Sequence, residues 1–288
     1  MVLWPGLTRR AATELSTSTG DIVALKMIVM MKQVPDAEEI FIDPVKFTLN
    51  RSQARGIINP SDENALEAAL RLKDKEGGEI TVISMGPPQA ESAIIECMGR
   101  GADRGILITD RVFAAADTYA TSLTLAAAVK KIGDFDIIFA GESTTDSGTG
   151  HVGPGVAEFL GIDQVTYTID SRIESGMFVA ERELEDGIEV VSTKPPVLVT
   201  VMINANLPRR SRLRLKVDAI KKGVEKWDHD TLSLPVDWVG LKGSPTLVGA
   251  LKIPEERKRE SKPVKLEEIP MLVDELVKKG IIKIGDDA

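Results

Sequence analysis

The chain has 288 residues, 43% of them hydrophobic and 28% charged, with a formal net charge of −8. That length allows a sizeable core, the composition is that of a globular protein, and the acidic balance gives no global support to a nucleic-acid role. A single cysteine, Cys97, excludes an internal disulfide and fits a reducing, cytoplasmic setting; two histidines leave a Cys/His metal cluster unsupported, and no apolar run has membrane-spanning length.

Residues 1–26 carry Arg9, Arg10 and a Ser/Thr cluster at residues 16–19, with no clear period. Glu14 and Asp21 fit a transit peptide poorly, so this stretch reads as a disordered extension or an early start, with Met27 opening the domain. From there strands and helices alternate. "MIVMMKQV" (27–34) is a continuous apolar strand of the kind buried on both faces. The stretch "NPSDENALEAALRLKDKEGG" is a helix, with Ser61 or Asp62 as its cap and Gly77-Gly78 as its stop. Strand 79–85, helix 89–98, strand 105–109, helix 118–132, strand 136–140 and a helix over 156–160 follow. Alternation at this spacing predicts an α/β fold, a doubly wound, mostly parallel sheet of Rossmann-like type.

The second half changes character. Residues 177–192 read as a hairpin around Asp186-Gly187, and "PPVLVTVMI" as a strand with Pro195 and Pro196 confined to its start. A basic stretch spans 209–222, a Pro/Gly-punctuated segment 234–263, and a terminal helix 266–279. The expected organisation is an extension at 1–26, an α/β nucleotide-binding domain at 27–230, and a C-terminal arm at 231–288. So long an irregular arm makes most sense lying across another subunit.

The stretch with most to say about function is "GESTTDSGTGHVGPGVAEFLG", residues 141–161. A buried strand, a loop of small residues and a helix start form a cradle in which backbone N–H groups grip a phosphate or a nucleotide edge. The loop is no Walker phosphate loop, and the first strand is not followed by G-x-G-x-x-G. It follows the fourth strand at the sheet's carboxyl edge, which the ends of the first two strands and Asn59-Pro60 also reach. These groups bind better than they react: His151 has no carboxylate partner nearby in sequence, and Asp146 sits among hydroxyls and amides that suit a ribose or phosphate.

"AERELEDGIEVVSTKPPVLVT", residues 180–200, resembles the signature of the electron transfer flavoprotein beta subunit. Ala180, Arg182, Glu185-Asp186-Gly187, Glu189, Val191, Pro196 and Leu198-Val199-Thr200 fill its positions. "MKQVPD", "SMGPPQA", "GADRGI" and "VGLKGSPTLV" agree, and the resemblance runs from Met27 to the C-terminus. It implies an electron-carrier subunit without catalysis of its own, paired with an alpha subunit and sharing FAD. This chain would bind AMP, as in conventional members, or a second FAD, as in electron-bifurcating ones. The implied binding residues are Met30, Asn59, Pro60, Ser61, Asp62, Met85, Gly141, Asp146, Ser147, Gly148, Thr149, Gly150, His151, Val152 and Gly153. Asp146, Thr149 and Val152-Gly153-Pro154 match the D-G-D-T-A-Q-V-G-P loop of bifurcating members, whereas Gly148 and His151 replace its second acid and its Gln.

The resemblance also implies a docking segment at 207–224, anchored at Leu213, for acyl-CoA dehydrogenases of fatty acid oxidation or another flavin dehydrogenase. Arg214-Leu215 replace the usual Pro-Asn there. The basic run around it reads as a solvated face or one that meets an acidic partner. Electrons would pass to a quinone oxidoreductase or a ferredoxin- or flavodoxin-type acceptor. Two readings from other classes stay open: an adenine-nucleotide-binding sensor module that homodimerises, and a hydrolase or ligase acting at the α-phosphate of ATP.

Overall fold

The computed structural model describes residues 24–36, 41–42, 49–50, 55–247, 249 and 263–282. Most of the N-terminal extension and part of the C-terminal arm lie outside the described residues. In chain order the elements are β1 (Leu25–Met30), β2 (Gln33–Pro35), β3 (Phe41–Ile42), β4 (Leu49–Asn50), β5 (Gly56–Ile58), α1 (Pro60–Glu76), β6 (Gly78–Met85), α2 (Glu91–Arg100), β7 (Arg104–Ile108), α3 (Thr118–Ile132) and β8 (Ile137–Gly141). There follow α4 (Val152–Leu160), β9 (Asp163–Glu174), β10 (Met177–Leu184), β11 (Gly187–Thr193), β12 (Val197–Val201), α5 (Leu213–Lys222), β13 (Glu225–Trp227), α6 (His229–Leu232), α7 (Gly240–Gly243) and α8 (Ile269–Lys278).

One nine-stranded sheet, in the order β11-β10-β9-β12-β8-β1-β6-β7-β13, organises the first compact unit, which runs to Leu247. From β9 to β13 the neighbours run parallel, and β10 and β11 extend the sheet as an antiparallel hairpin. This is the doubly wound sheet expected from the alternation. Alternate residues of each central strand face opposite layers. Met27, Val29, Val82, Phe139 and Val199 pack with α1 and α2, and Ile28, Met30, Ile83, Ile138 and Leu198 pack with α3 and α4. Burial on both faces is why the strands read as unbroken apolar runs.

Differences from the sequence reading are local. The expected first strand breaks after Met30, because Gln33–Pro35 turns away to pair antiparallel with β5. Helix α1 starts two residues earlier than a Ser61 cap would place it, and three earlier than an Asp62 cap would. Asn59 holds the N-cap position without a side-chain cap, Pro60 takes the first turn, and Ser61 and Asp62 lie inside the helix. The hairpin forms as expected, with Leu184 opposite Gly187, so that Glu185 and Asp186 make the turn and Gly187 opens β11.

Strands β9 and β13 have no counterpart in the sequence reading. β9 is largely polar, with most of its residues exposed or half-buried and Val165 and Thr168 buried. Leu232, Leu234 and Val239 are buried in the core of the first unit. The second unit, from Val248, contains α8 within the expected terminal helix; Leu266, Ile269 and Met271 there are exposed. No helix of the described residues is long and apolar enough to cross a membrane.

Candidate functional site

The chain leaves β1 for β6 and β7 on one side, then returns to β8 and β12 on the other. A crevice therefore opens between the carboxyl ends of β1 and β8, the switch point where sheets of this kind bind ligands. Loop 141–153 leaves β8 at that point, and the start of α1 lies beneath it.

Asp62 ties the two strand ends together. Its Oδ2 accepts the backbone N–H of Lys32 at 2.7 Å, and its Oδ1 accepts that of Gly141 at 3.0 Å. A Cβ at Gly141 would lie 2.8 Å from the backbone N of Asp62 and from the carbonyl carbon of Ser61, so only glycine fits this approach. Burial pushes the Asp62 carboxyl up to about 7, against the pull of the two N–H groups, the Asn59 side chain and the Lys32 charge.

Asn59 and Ser61 hold the loop itself. Asn59 Nδ2 and Ser61 Oγ donate to the carbonyl of Ser143 at 2.8 and 2.7 Å, and Asn59 Oδ1 accepts the N–H of Thr145 at 3.1 Å. The loop then turns back on itself, with the N–H of Gly148 donating to the Thr144 carbonyl at 2.7 Å. Gly148 (φ 64°) and Gly150 (φ 66°) take left-handed conformations that glycine reaches without strain. Lys32 Nζ crosses the mouth to both carboxylate oxygens of Asp146, at 2.7 Å each. Burial raises the Asp146 pKa, but Lys32 and the hydroxyls of Thr144 and Ser147 outweigh it and hold the group below the ordinary value.

The loop ends in the first turn of α4. His151 occupies the N-cap position without capping the helix through its side chain. The N–H groups of Val152 and Gly153 thus open the helix with no intrahelical partner, a ready anion site. Gly153 is buried, and a Cβ there would come within 2.8 Å of Thr200 Cγ2, so α4 packs hard against β12.

The structure therefore brings Asn59, Pro60, Ser61, Asp62, Gly141 and residues 146–153 to one crevice. The polar side-chain atoms of Asn59, Ser61 and Asp62 are engaged in holding loop and strand backbones. Met30 reaches the crevice as the end of β1, with its side chain buried in the core, and Met85 is half-buried at the end of β6. Sequence reasoning missed Lys32, although it stands two residues beyond β1 within "MKQVPD". It also missed the pairing of His229 Nδ1 with Asp110 at 2.8 Å, which raises the His229 pKa and lowers that of Asp110. Among the described residues no His, Cys, Asp and Glu side chains cluster to hold a metal ion.

A cavity of about 460 Å³ lies elsewhere, lined by Tyr119, Leu123, Phe159 and Trp238 among others. Its lining is mainly apolar and lies away from the carboxyl ends of β1 and β8, so the crevice is the better nucleotide site.

A second feature abuts the crevice. Residues 202–212, between β12 and α5, are pinned along α1. The N–H of Ile203 donates to Glu142 Oε1 at 3.2 Å, while Asn64 and Asn206 each donate a side-chain amide to the other's carbonyl, at 2.7 and 2.9 Å. Arg209 donates from Nε and Nη2 to buried Glu67 at 2.9 and 3.1 Å, and from Nη2 to Asp74 at 2.8 Å. The expected basic face is therefore partly spent internally, since Lys216 also pairs with Glu96 at 2.6 Å. What the segment exposes is Leu207 (84%) and Leu213 (80%), beside Arg210, Arg212 and Arg214. Leu215 is half-buried.

Comparison with known proteins gives the chain's relatives. Residues 46–232 match the electron transfer flavoprotein domain. The electron transfer flavoprotein subunit beta of Clostridium acetobutylicum is 48% identical over 224 residues, which cover 78% of this chain and 86% of that protein. The caffeyl-CoA reductase-Etf complex subunit CarD of Acetobacterium woodii is 41% identical, covering 78% and 86%. Protein FixA of Bradyrhizobium diazoefficiens is 41% identical over 251 residues, covering 84% and 87%.

Proposed function

The chain belongs to the electron transfer flavoprotein family, as a beta-type subunit, and on that premise we propose that it holds a second FAD in the crevice between β1 and β8. The family makes it an electron-carrier subunit, not an enzyme, and one that works with flavin and an alpha subunit. The observation that carries the proposal is the convergence of a glycine loop, an uncapped helix start and two tied strand ends at the switch point. FAD, when bound, supplies the electron-accepting and electron-donating chemistry.

Each part of the site has its task. The N–H groups of Val152 and Gly153 would meet the phosphate charge, and Gly148 and Gly150 let the backbone come close. Asp146, Thr149 and Val152-Gly153-Pro154 favour FAD over AMP through their match to the bifurcating type of loop, and the similarity to CarD, a subunit of a reductase–Etf complex, points the same way. Asn59 and Ser61 act by holding the loop in place.

Leu213, raised on the pinned segment, is the anchor for a flavin dehydrogenase, with Arg214 and Leu215 setting which one. An exposed apolar anchor ringed by charge suits a contact that forms and releases quickly. Electrons pass on to a quinone oxidoreductase or a ferredoxin- or flavodoxin-type acceptor, and the part of the C-terminal arm beyond Leu247 lies on the alpha subunit. The test is to co-express the chain with its alpha partner and count nucleotides after denaturing extraction. Two FAD and no AMP per heterodimer is the expected result. One FAD with one AMP would make it a conventional carrier, and a well-formed complex without flavin would overturn the reading.

A further inference from the structure

We propose that Asp62 is a positioning residue of the nucleotide crevice: its carboxylate sets the gap between β1 and β8 by accepting one backbone N–H from each, without touching the nucleotide. The inference rests on the nucleotide reading of the crevice and adds the group that fixes its width.

The geometry is specific. The side chain projects from the first turn of α1 and Asp62 is 5% exposed. Each oxygen has one backbone donor, Lys32 N at 2.7 Å and Gly141 N at 3.0 Å. These two residues stand on opposite sides of the crevice, one just past β1 and the other closing β8. Lys32 also carries the ammonium that reaches Asp146, and Gly141 starts the loop. A carboxylate alone among side chains of this size presents two acceptors and no donor. Protonation, or replacement by asparagine, turns one acceptor into a donor aimed at an N–H, and one wall is released.

The arrangement is therefore proton-linked, and burial places the titration near neutrality, at about 7. The charges near Asp62 include Lys32 from the end of β1, Glu63 of its own helix with its partner Arg100 of α2 at 2.6 Å, and Glu142 and Asp146 from the far wall. From α2 comes the Cys97 thiol, which burial pushes up to about 12 and keeps neutral. If the ionised form alone holds the crevice at its binding width, the apparent dissociation constant scales inversely with the ionised fraction. It then rises about tenfold between pH 8 and pH 6.

The experiment measures FAD and AMP binding to the nucleotide-stripped heterodimer from pH 8 to pH 6, for wild type, D62N and H151Q, with melting curves to check folding. His151 is included as the exposed histidine at the loop's end, so that any contribution from it is separated from that of Asp62. The expected result is about a tenfold weakening in wild type, the same slope in H151Q, and weak, pH-flat binding in D62N. A flat wild-type profile overturns the proposal whether or not D62N folds, as does a slope that survives in D62N and vanishes in H151Q. Absence of any nucleotide binding by wild type would instead overturn the nucleotide reading itself.

Discussion

Arg209→Met should destabilise the protein by about 2 kcal/mol and loosen the docking segment. Glu67 is 5% exposed, and its carboxylate accepts three donors from Arg209, the backbone N at 3.0 Å, Nε at 2.9 Å and Nη2 at 3.1 Å. Removing one partner of a buried pair costs about 3–5 kcal/mol, because the remaining charge is left uncompensated. Two features reduce that here. Arg209 is itself partly solvated, and Arg71 still donates to Glu67 at 3.2 Å. Roughly half the range remains, which lowers the melting temperature by roughly 4–8 °C for a unit of this size.

Burial raises the Glu67 pKa, but Arg209 outweighs it and holds the group below its usual value. A depressed carboxyl stabilises above its unfolded pKa and loses that contribution as pH falls through the folded one, so the R209M penalty shrinks below about pH 4. Urea unfolding of R209M, E67M and the double variant gives the coupling, with the double costing less than R209M plus E67M. Hydrogen exchange reads the segment, where amides of residues 203–212 should exchange faster in R209M. An R209M penalty under about 0.5 kcal/mol, or additive single effects, would refute the clamp.

Gly141→Ala drives a methyl into the backbone of Ser61 and Asp62, so the strand end must shift. Overpacking of this kind costs about 1–3 kcal/mol, and nucleotide content on extraction should fall with it; full occupancy with unchanged melting would contradict the close approach. Leu213→Ala removes an 80% exposed side chain, so stability stays within about 0.5 kcal/mol while the electron-transfer rate from the partner dehydrogenase drops. An unchanged rate would move the docking surface elsewhere. The Asp62 carboxyl is raised to about 7 in the folded state, so the folded chain keeps its proton where the unfolded chain has lost it. Stability from this group falls as pH rises from about 4 to 7, and the wild-type minus D62N difference in unfolding free energy should decline by roughly 2–3 kcal/mol between pH 5 and 8. A constant difference would place the titration elsewhere.

Residues buried on both faces of the sheet carry their structure in plain sight. Ile28, Val29, Ile138 and Phe139 read as strand because nothing else tolerates such runs, and α3 runs over the expected 118–132 between the Asp117 cap and Gly133. β9 carries a signal that the sequence reading passed over: in "DQVTYTID" Val165, Tyr167 and Ile169 alternate with polar residues, though the register shifts so that Thr168, not Tyr167, is buried, and the strand is held between β12 and β10. β13 is three residues long, too short for a pattern to speak. In the candidate site, the loop itself was legible, as a run of small residues between a buried strand and a helix. The role of Asp62 was not legible, since its partners lie 30 and 79 residues away and are backbone groups that no sequence pattern marks. Arg209 read as solvated for the same reason, with Glu67 and Asp74 some 140 residues distant on α1.

Photolabelling locates the nucleotide directly. The heterodimer, stripped of extractable nucleotide, is irradiated with 8-azido-AMP, digested and mapped by mass spectrometry, with FAD as competitor. Label within residues 141–153 or 59–62 of this chain, lost when FAD is added, is the expected result. Label on the peptides bearing Tyr119, Phe159 and Trp238, or on the alpha subunit alone, would contradict a nucleotide site between β1 and β8.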